Sequence, residues 1–140
     1  MLHLMKLAVG VRDIVHLQEL QNARARTAPP LRHLTRHRPR RAKEVLEGGS
    51  IYWVIGGAML VRQRLLDIVP ATDSDGTAHA ALLLDPALVA VAPRATRPFQ
   101  GWRYLPAEAA PADLADTAAA AGAEALPAAL RRELQALGLL

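Results

Sequence analysis

The sequence predicts an α+β fold, in which a small, mixed and mostly antiparallel sheet or pseudo-barrel is flanked by helices. Gly56-Gly57 separates two runs rich in β-branched and apolar residues, 51–55 and 58–68, and paired glycines supply the positive φ values of a tight hairpin. Asp13 precedes a helical stretch, 14–26, and can cap its first turn. A length of 140 residues with 51% hydrophobic content suits one domain with a single core.

The chain before the hairpin is predicted to form a strand and two helices. Apolar residues within 2–9 predict the first strand, and Pro29-Pro30 end the first helix. The stretch 31–38 is interpreted as a loop or a short turn of helix. Pro39 then suits the first position of a second helix, which Gly48 ends.

The two-residue turn also predicts which residues of the hairpin lie opposite each other: Ile55 and Ala58, Trp53 and Leu60, Ile51 and Arg62. After the hairpin, further strands are expected at 77–84, at 88–92 and at the end of 94–105. Asp85-Pro86 is interpreted as a break between the first two of these. The prediction is a mixed sheet of about five strands.

The C-terminal part changes in composition. Residues 106–125 are rich in Ala and Pro and poor in large apolar side chains, which predicts a mobile connection. Pro127 can start a last helix, in which Leu130, Leu134 and Leu137 share one face. That helix is expected to pack on the same single domain.

Charge is distributed unevenly along the chain. Residues 1–64 hold twelve Lys or Arg and four acids, a net charge of +8, whereas residues 65–140 hold five and nine, a net charge of −4. Eight of the cations lie between Arg24 and Lys43, a stretch without a carboxylate. Such asymmetry favours an anionic partner, RNA or another polyanion, although a run of arginines is also typical of a solvated surface.

Cysteine usage and hydropathy limit the remaining classes. The chain has no Cys, which excludes disulfides, thiolate zinc sites and Cys nucleophiles. It shows no export signal and no apolar stretch long enough to span a membrane. We therefore expect a cytoplasmic protein that needs no cofactor.

The candidate nucleic-acid site combines arginines with aromatic residues. Arg62 and Arg64 are two apart, so both point to one face of a strand. Phe99, Trp102 and Tyr104 alternate with cations, a combination that can stack unpaired bases. The scarcity of aromatic residues in the chain instead favours a core role for Phe99 and Trp102. The residues assigned to the site are Arg36, Arg38, Arg40, Arg41, Arg62, Arg64, Arg97, Arg103 and Trp102.

Other functional patterns are weaker. His33 and His37 are four apart and would align on a helix as two metal ligands, but no third ligand is adjacent, so no metal site is assigned. The alternative function is a small hydrolase of modified nucleosides or nucleotides, with Lys43, Glu44 and Tyr52 as acid or base groups. A third hypothesis is an interaction module that docks through the last helix.

Two resemblances accompany these residues. The runs 36–47, Gly-Gly-Ser-Ile-Tyr-Trp-Val-Ile from Gly48, 61–68 and 97–104 resemble a family of short alphaproteobacterial proteins of unknown function, across nearly the whole chain. That resemblance implies no activity. The order of a helix ending in Gly, a hairpin and further strands is similar to the PUA, ASCH and EVE group of pseudo-barrels, which would imply binding of RNA or modified bases.

Overall fold

The computed structural model describes residues 1–114. Six strands and two helices follow in chain order: β1 Leu2–Leu7, α1 Ile14–Thr27, β2 Arg32–Thr35, α2 Ala42–Val45, β3 Ser50–Ile55, β4 Ala58–Thr72, β5 Ala78–Ala95 and β6 Trp102–Pro106, with a 3-10 turn at Ala107–Ala109. The sheet order is β2-β5-β4-β3-β1-β6, with β1 and β3 parallel and the other pairs antiparallel. The α+β prediction is confirmed. The sheet is open, so the pseudo-barrel alternative is not formed.

Local signals place α1 and the hairpin as predicted. The Asp13 carboxylate accepts a hydrogen bond of 2.7 Å from the backbone N–H of His16 and so caps α1. Gly56 and Gly57 have φ values of +59° and +84°, which a two-residue hairpin turn of this kind needs. Both features depend on a few neighbouring residues, which is why the sequence alone reveals them.

The register of the hairpin differs from the prediction. Ile55 lies opposite Ala58 as expected, but an irregularity between Trp53 and Val54 shifts the pairing by one residue. As a result Val61, rather than Leu60, lies opposite Trp53, and the partner of Arg62 is Tyr52 rather than Ile51. A β-bulge adds an unpaired residue, so an ideal ladder cannot give the register beyond it.

Two further expectations are wrong. The stretch 31–38 contains strand β2, which pairs with β5 and is neither a loop nor a turn of helix. Asp85-Pro86 does not end a strand, because β5 continues through it. The pairing moves from Leu65 with Leu84 to Gln63 with Leu88, so the proline sits in a bulge, where a missing N–H does not interrupt the ladder.

Each side of the sheet has its own apolar cluster. The helical side, covered by α1 and α2, holds the larger cluster, with Leu4, Ile51, Trp53, Val61, Leu65 and Leu82 from the strands. The far side holds Tyr52, Val54, Met59, Val91, Phe99 and Leu105. Residues 107–114 lead from β6 to β5, where Asp113 bridges to Val91 and Leu114 is buried. The mobile connection predicted for 106–125 lies partly, and the last helix wholly, outside the described residues.

Candidate functional site

The basic segment begins on β2, an edge strand of the sheet, and continues through the connection from β2 to α2. Arg32 is on β2 itself, and Arg36, Arg38 and Arg40 follow it in the connection to α2. All four side chains are exposed. Arg36 and Arg38 line one shallow depression together with His79. We call these four arginines the cationic edge.

The cationic edge has no acidic partners in the described part of the chain. Ion pairs within residues 1–114 involve Arg41, Arg62 and His79, and none of the four edge arginines. Arg38 donates one long hydrogen bond, 3.4 Å, to the carbonyl oxygen of Ile68. Within residues 1–114, the edge guanidinium groups therefore keep donors that no carboxylate occupies and that an anionic ligand can accept from.

Arg41 and Trp102 belong to a separate cluster at the opposite edge, formed by β6. The Arg41 guanidinium pairs with Glu44 at 2.5 Å and lies 5.5 Å from the ring centroid of Tyr104. The backbone N–H of Arg41 donates to the Tyr104 hydroxyl at 3.0 Å. Trp102 packs edge to face on Tyr104 with centroids 5.0 Å apart and is partly buried against the larger cluster. Trp102 therefore lies at the edge opposite Arg32, whereas Arg40, the chain neighbour of Arg41, lies close to the Trp102–Tyr104 cluster.

Arg62 binds a carboxylate of the protein itself. Its Nε and Nη2 donate to the two carboxylate oxygens of Asp113 at 2.6 and 2.7 Å, and its Nη1 donates to the hydroxyl of Ser50 at 3.2 Å. These hydrogen bonds hold the pKa of Asp113 below its usual value, against an opposing effect of burial. Arg64 lies opposite Ser50 in the β3–β4 ladder and is exposed. Arg62 therefore attaches residues 107–114 to the sheet.

The two remaining predicted arginines lie near β6. Arg97 is exposed in the connection between β5 and β6. The Arg103 guanidinium lies over the ring of Phe99, 5.1 Å from its centroid, and Phe99 is buried in the far-side cluster. The structure therefore groups Arg36, Arg38 and Arg40 with Arg32, and distributes the other predicted site residues over the far side and the β6 edge.

A pocket of about 120 Å³ lies between α1 and the sheet. Its apolar wall includes the buried side chains Leu17, Leu31, Trp53 and Leu84. Its charged lining residues are Lys6, Arg24 and Arg32, and no carboxylate lines it. Arg24 and Val9 are exposed, so the pocket opens to the surface beside the start of β2. The sequence does not predict this pocket, because five separate elements, β1, α1, β2, β3 and β5, line it.

His33 lines the pocket from β2. Burial, with the nearby charges of Lys6 and Arg24, lowers the pKa of its imidazole to about 4, so the ring is neutral at pH 7. The ring packs edge to face on Trp53 with centroids 5.3 Å apart. Its Nε2 is buried and has no hydrogen-bond partner within residues 1–114. The predicted helical pairing with His37 is wrong, because His33 lies on a strand and His37 is exposed beyond its end.

A network of neutral amides lies beside the pocket. Gln63 on β4 is fully buried and exchanges two hydrogen bonds, 2.8 and 2.9 Å, with Gln21 on α1. The Gln63 carbonyl oxygen also accepts from the Trp53 indole at 3.1 Å, and its amide donates to the carbonyl oxygen of Asp85 at 2.8 Å. Gln63 lies between Val61 and Leu65 on the apolar face of β4, and a polar residue at such a core-facing position is the sequence signal that could have indicated the network. The network fixes α1 and the wall of the pocket.

The groups of the hydrolase hypothesis lie on opposite sides of the sheet. Glu44 is on α2, whose Ala42 and Val45 pack into the helical-side cluster, and it pairs with Arg41. Tyr52 belongs to the far-side cluster, where burial raises the pKa of its hydroxyl. The structure does not bring Lys43, Glu44 and Tyr52 together as one acid–base group.

Comparison with known proteins assigns the chain to a family, but the description of that family names no activity. Residues 4–140 match the model of a family described as "Protein of unknown function (DUF1489)". No curated protein and no solved structure matches the chain significantly. The resemblance to the PUA, ASCH and EVE group therefore gains no support. Among the described residues, no helix is both long and apolar enough to cross a membrane.

Proposed function

Since the chain belongs to the DUF1489 family, whose description assigns no activity, we propose from the geometry that the protein binds nucleic acid, RNA in the first place, through the cationic edge. One observation carries this proposal. Eight cations between Arg24 and Lys43 occur without a carboxylate, and four of them are exposed on β2 and in the connection that follows it. We place this activity in the cytoplasm, in keeping with a chain without cysteine.

The contrast with the paired arginines supports the assignment. Arg41 and Arg62 have Glu44 and Asp113 in the position that a phosphate would take. An arginine that binds a protein carboxylate must lose that partner before it can bind a phosphate, which opposes binding. The cationic edge has no such competitor in the described part of the chain, so phosphate contacts concentrate there.

The composition of the edge indicates how the nucleic acid is bound. Residues 31–43 contain no Phe, Trp or Tyr, and the rings of Trp102 and Tyr104, which lie beside Arg41, pack on each other and are partly buried. Base stacking on aromatic rings therefore contributes little at this surface. We expect binding that depends on the phosphate backbone, with steep salt dependence and little sequence preference.

The test compares two triple variants with the same change in charge. The edge variant carries Arg36→Gln, Arg38→Gln and Arg40→Gln, and the matched control carries Arg64→Gln, Arg97→Gln and Arg103→Gln. Fluorescence anisotropy with labelled single-stranded RNA, duplex RNA and duplex DNA is measured over a range of salt concentrations. The edge variant should flatten the salt slope for single strands by about 2 and weaken binding at least tenfold, because about three phosphate contacts are lost.

The control and two further outcomes decide the proposal. The control variant should bind within about threefold of the unchanged chain, because its arginines lie elsewhere. Trp102→Ala should leave RNA affinity unchanged. If both triple variants lose the same RNA affinity, net charge alone attracts RNA. If the chain without substitutions binds no nucleic acid at low salt, the cationic edge is only solvated surface. Thermal melts show whether each variant is folded.

A further inference from the structure

The pocket between α1 and the sheet has the shape of a binding site for a small molecule. Its volume of about 120 Å³ is close to that of cavities that hold one benzene ring, about 150 Å³. The buried side chains of Leu17, Leu31 and Trp53 form its wall. Because Val9 and Arg24 at its mouth are exposed, a ligand can enter without unfolding α1.

The charge of the pocket selects the class of ligand. Three cations, Lys6, Arg24 and Arg32, come from β1, α1 and β2 and line the same space, and no acid is among the lining residues. Cations from three separate elements are placed together only by the fold, at a cost in mutual repulsion that an anion would relieve. Burial, and after it the charges of Lys6 and Arg24, lower the pKa of His33, in keeping with the position of both cations beside this ring.

Apart from the Nε2 of His33, which has no hydrogen-bond partner within residues 1–114, the side-chain polar groups of the wall are already paired. Gln21 and Gln63 bond to each other, and the Trp53 indole bonds to Gln63. The wall therefore provides an apolar surface and few free donors or acceptors that could read the edges of a nucleobase. This arrangement suits a ligand whose body is apolar and whose single charged group stays at the mouth.

We propose that this pocket binds a small organic anion, with an apolar body of about one ring lying on Leu17, Leu31 and Trp53 and an oxyanion group held by Arg24 and Lys6 at the mouth. Carboxylates and phosphate monoesters share this chemistry. The pocket shares Arg32 with the cationic edge, but the edge variant leaves Arg32, Arg24 and Lys6 in place, so the two proposals can be tested separately.

Fluorescence can test the proposal, because the chain has two tryptophans and only Trp53 lines the pocket. In a Trp102→Phe background, the emission of Trp53 is followed during titration with benzoate, phenyl phosphate, benzyl alcohol and benzylamine. Benzoate or phenyl phosphate should give a saturable change, and the comparison of the two identifies the preferred oxyanion. Benzyl alcohol should bind at least about tenfold more weakly, because it lacks the charge-assisted hydrogen bonds.

Two neighbouring arginines of α1 provide a matched pair of variants. Arg24 lines the pocket and Arg26 does not, although both are exposed in the last turn of the helix. Arg24→Gln should raise the Kd of the bound anion about tenfold, and Arg26→Gln should change it by less than about twofold. Lys6→Gln is a second test of the mouth, from a different element.

Several outcomes would overturn the proposal. Equal binding of benzyl alcohol or benzylamine would show an apolar void without anion selectivity. Equal effects of Arg24→Gln and Arg26→Gln would place the anion elsewhere on the basic surface. If no probe changes the Trp53 emission up to its solubility limit, the space is a packing void and not a binding site. The edge variant should keep its benzoate binding, so failure here and failure of RNA binding are separate results.

Discussion

Arg62 and Gln63 are neighbours on β4, yet each attaches a different part of the chain to the sheet by different chemistry. Gln63 points to the helical side, is fully buried and binds Gln21 of α1 through neutral amides. Arg62 points to the far side and binds Asp113 as an ion pair, in which the two side chains keep 26% and 27% of their surface exposed. The strand thus uses an amide network where water is excluded and an ion pair where water remains.

This difference follows from the cost of removing charge from water. A buried ion loses hydration worth several kcal/mol, which a single partner rarely restores in full, whereas a neutral amide loses much less. On the helical side, charged groups accordingly stay at the mouth of the pocket, and the one titratable ring that lines its interior, His33, is neutral at pH 7. The two sides should therefore respond differently to mutation, pH and salt.

The largest effect is expected for Gln63→Leu. This change keeps the volume of the side chain but leaves Gln21, the Trp53 indole and the Asp85 carbonyl without their partner. Each buried unpaired group costs about 1 to 3 kcal/mol, so the free energy of unfolding should fall by about 3 to 5 kcal/mol. Urea denaturation followed by fluorescence measures it.

The double variant Gln21→Leu with Gln63→Leu serves as the control. It removes both amides of the pair, so it should be less unstable than the sum of the two single variants. A loss below about 1 kcal/mol for Gln63→Leu would show that water replaces its hydrogen bonds, and the contrast between the two sides of the sheet would fail.

The pH dependence of stability tests the helical side a second time. The pKa of His33 is about 4 in the folded chain and 6.5 in the reference state, so between these values the unfolded chain binds more protons. The contribution of neutral His33 to the free energy of unfolding is fully present above pH 6.5 and is lost as the pH falls towards 4. At 1.36 kcal/mol per pKa unit the loss is at most about 3 kcal/mol.

His33→Phe isolates that contribution. Phenylalanine keeps a ring beside Trp53 and removes the buried nitrogen that has no partner within residues 1–114. The variant should be at least as stable at pH 7 and should lose most of the slope between pH 6.5 and 4. Some slope will remain, because burial also lowers the pKa of His3. An unchanged slope in His33→Phe would mean that His33 titrates as an exposed residue.

The sequence predicts what depends on neighbouring residues and misses what depends on distant ones. The Asp13 cap and the Gly56-Gly57 turn are local, and both were predicted correctly. The strand at 32–35 was missed because its pairing partner, β5, lies almost fifty residues later in the chain. The register and the continuity of β5 through Pro86 depend on bulges, which no short pattern reveals.

The same limit applies to the candidate site. A count of arginines could not separate Arg62, which has Asp113 as its partner fifty-one residues later, from Arg36 and Arg40, which have no acidic partner in the described part of the chain. Nor could it place Lys6 and Arg24 around one pocket. Composition therefore predicted a class of partner, and only the fold distinguishes cations that hold the protein together from those that face solvent.

The smallest of these effects is expected on the far side, for the pair Arg62 and Asp113. Because both side chains remain partly exposed, their coupling in a double-mutant cycle of Arg62→Gln and Asp113→Asn should be about 1 to 2 kcal/mol, less than for a fully buried pair. Arg62→Gln should lower the free energy of unfolding more than Asp113→Asn does, since Arg62 also donates a hydrogen bond to Ser50.

The pH and salt dependence of the Arg62–Asp113 coupling tests the same pair. Because the pKa of Asp113 is lowered in the folded chain, the coupling is present above pH 3.8 and is lost as the pH falls through that lowered value. High salt should weaken it, whereas the Gln21–Gln63 coupling should be insensitive to salt. A coupling near zero at low salt would show that the ion pair does not hold residues 107–114, which would then depend on the bridge between Asp113 and Val91 and on apolar contacts. Equal salt sensitivity on the two sides would remove the distinction between the two neighbours on β4.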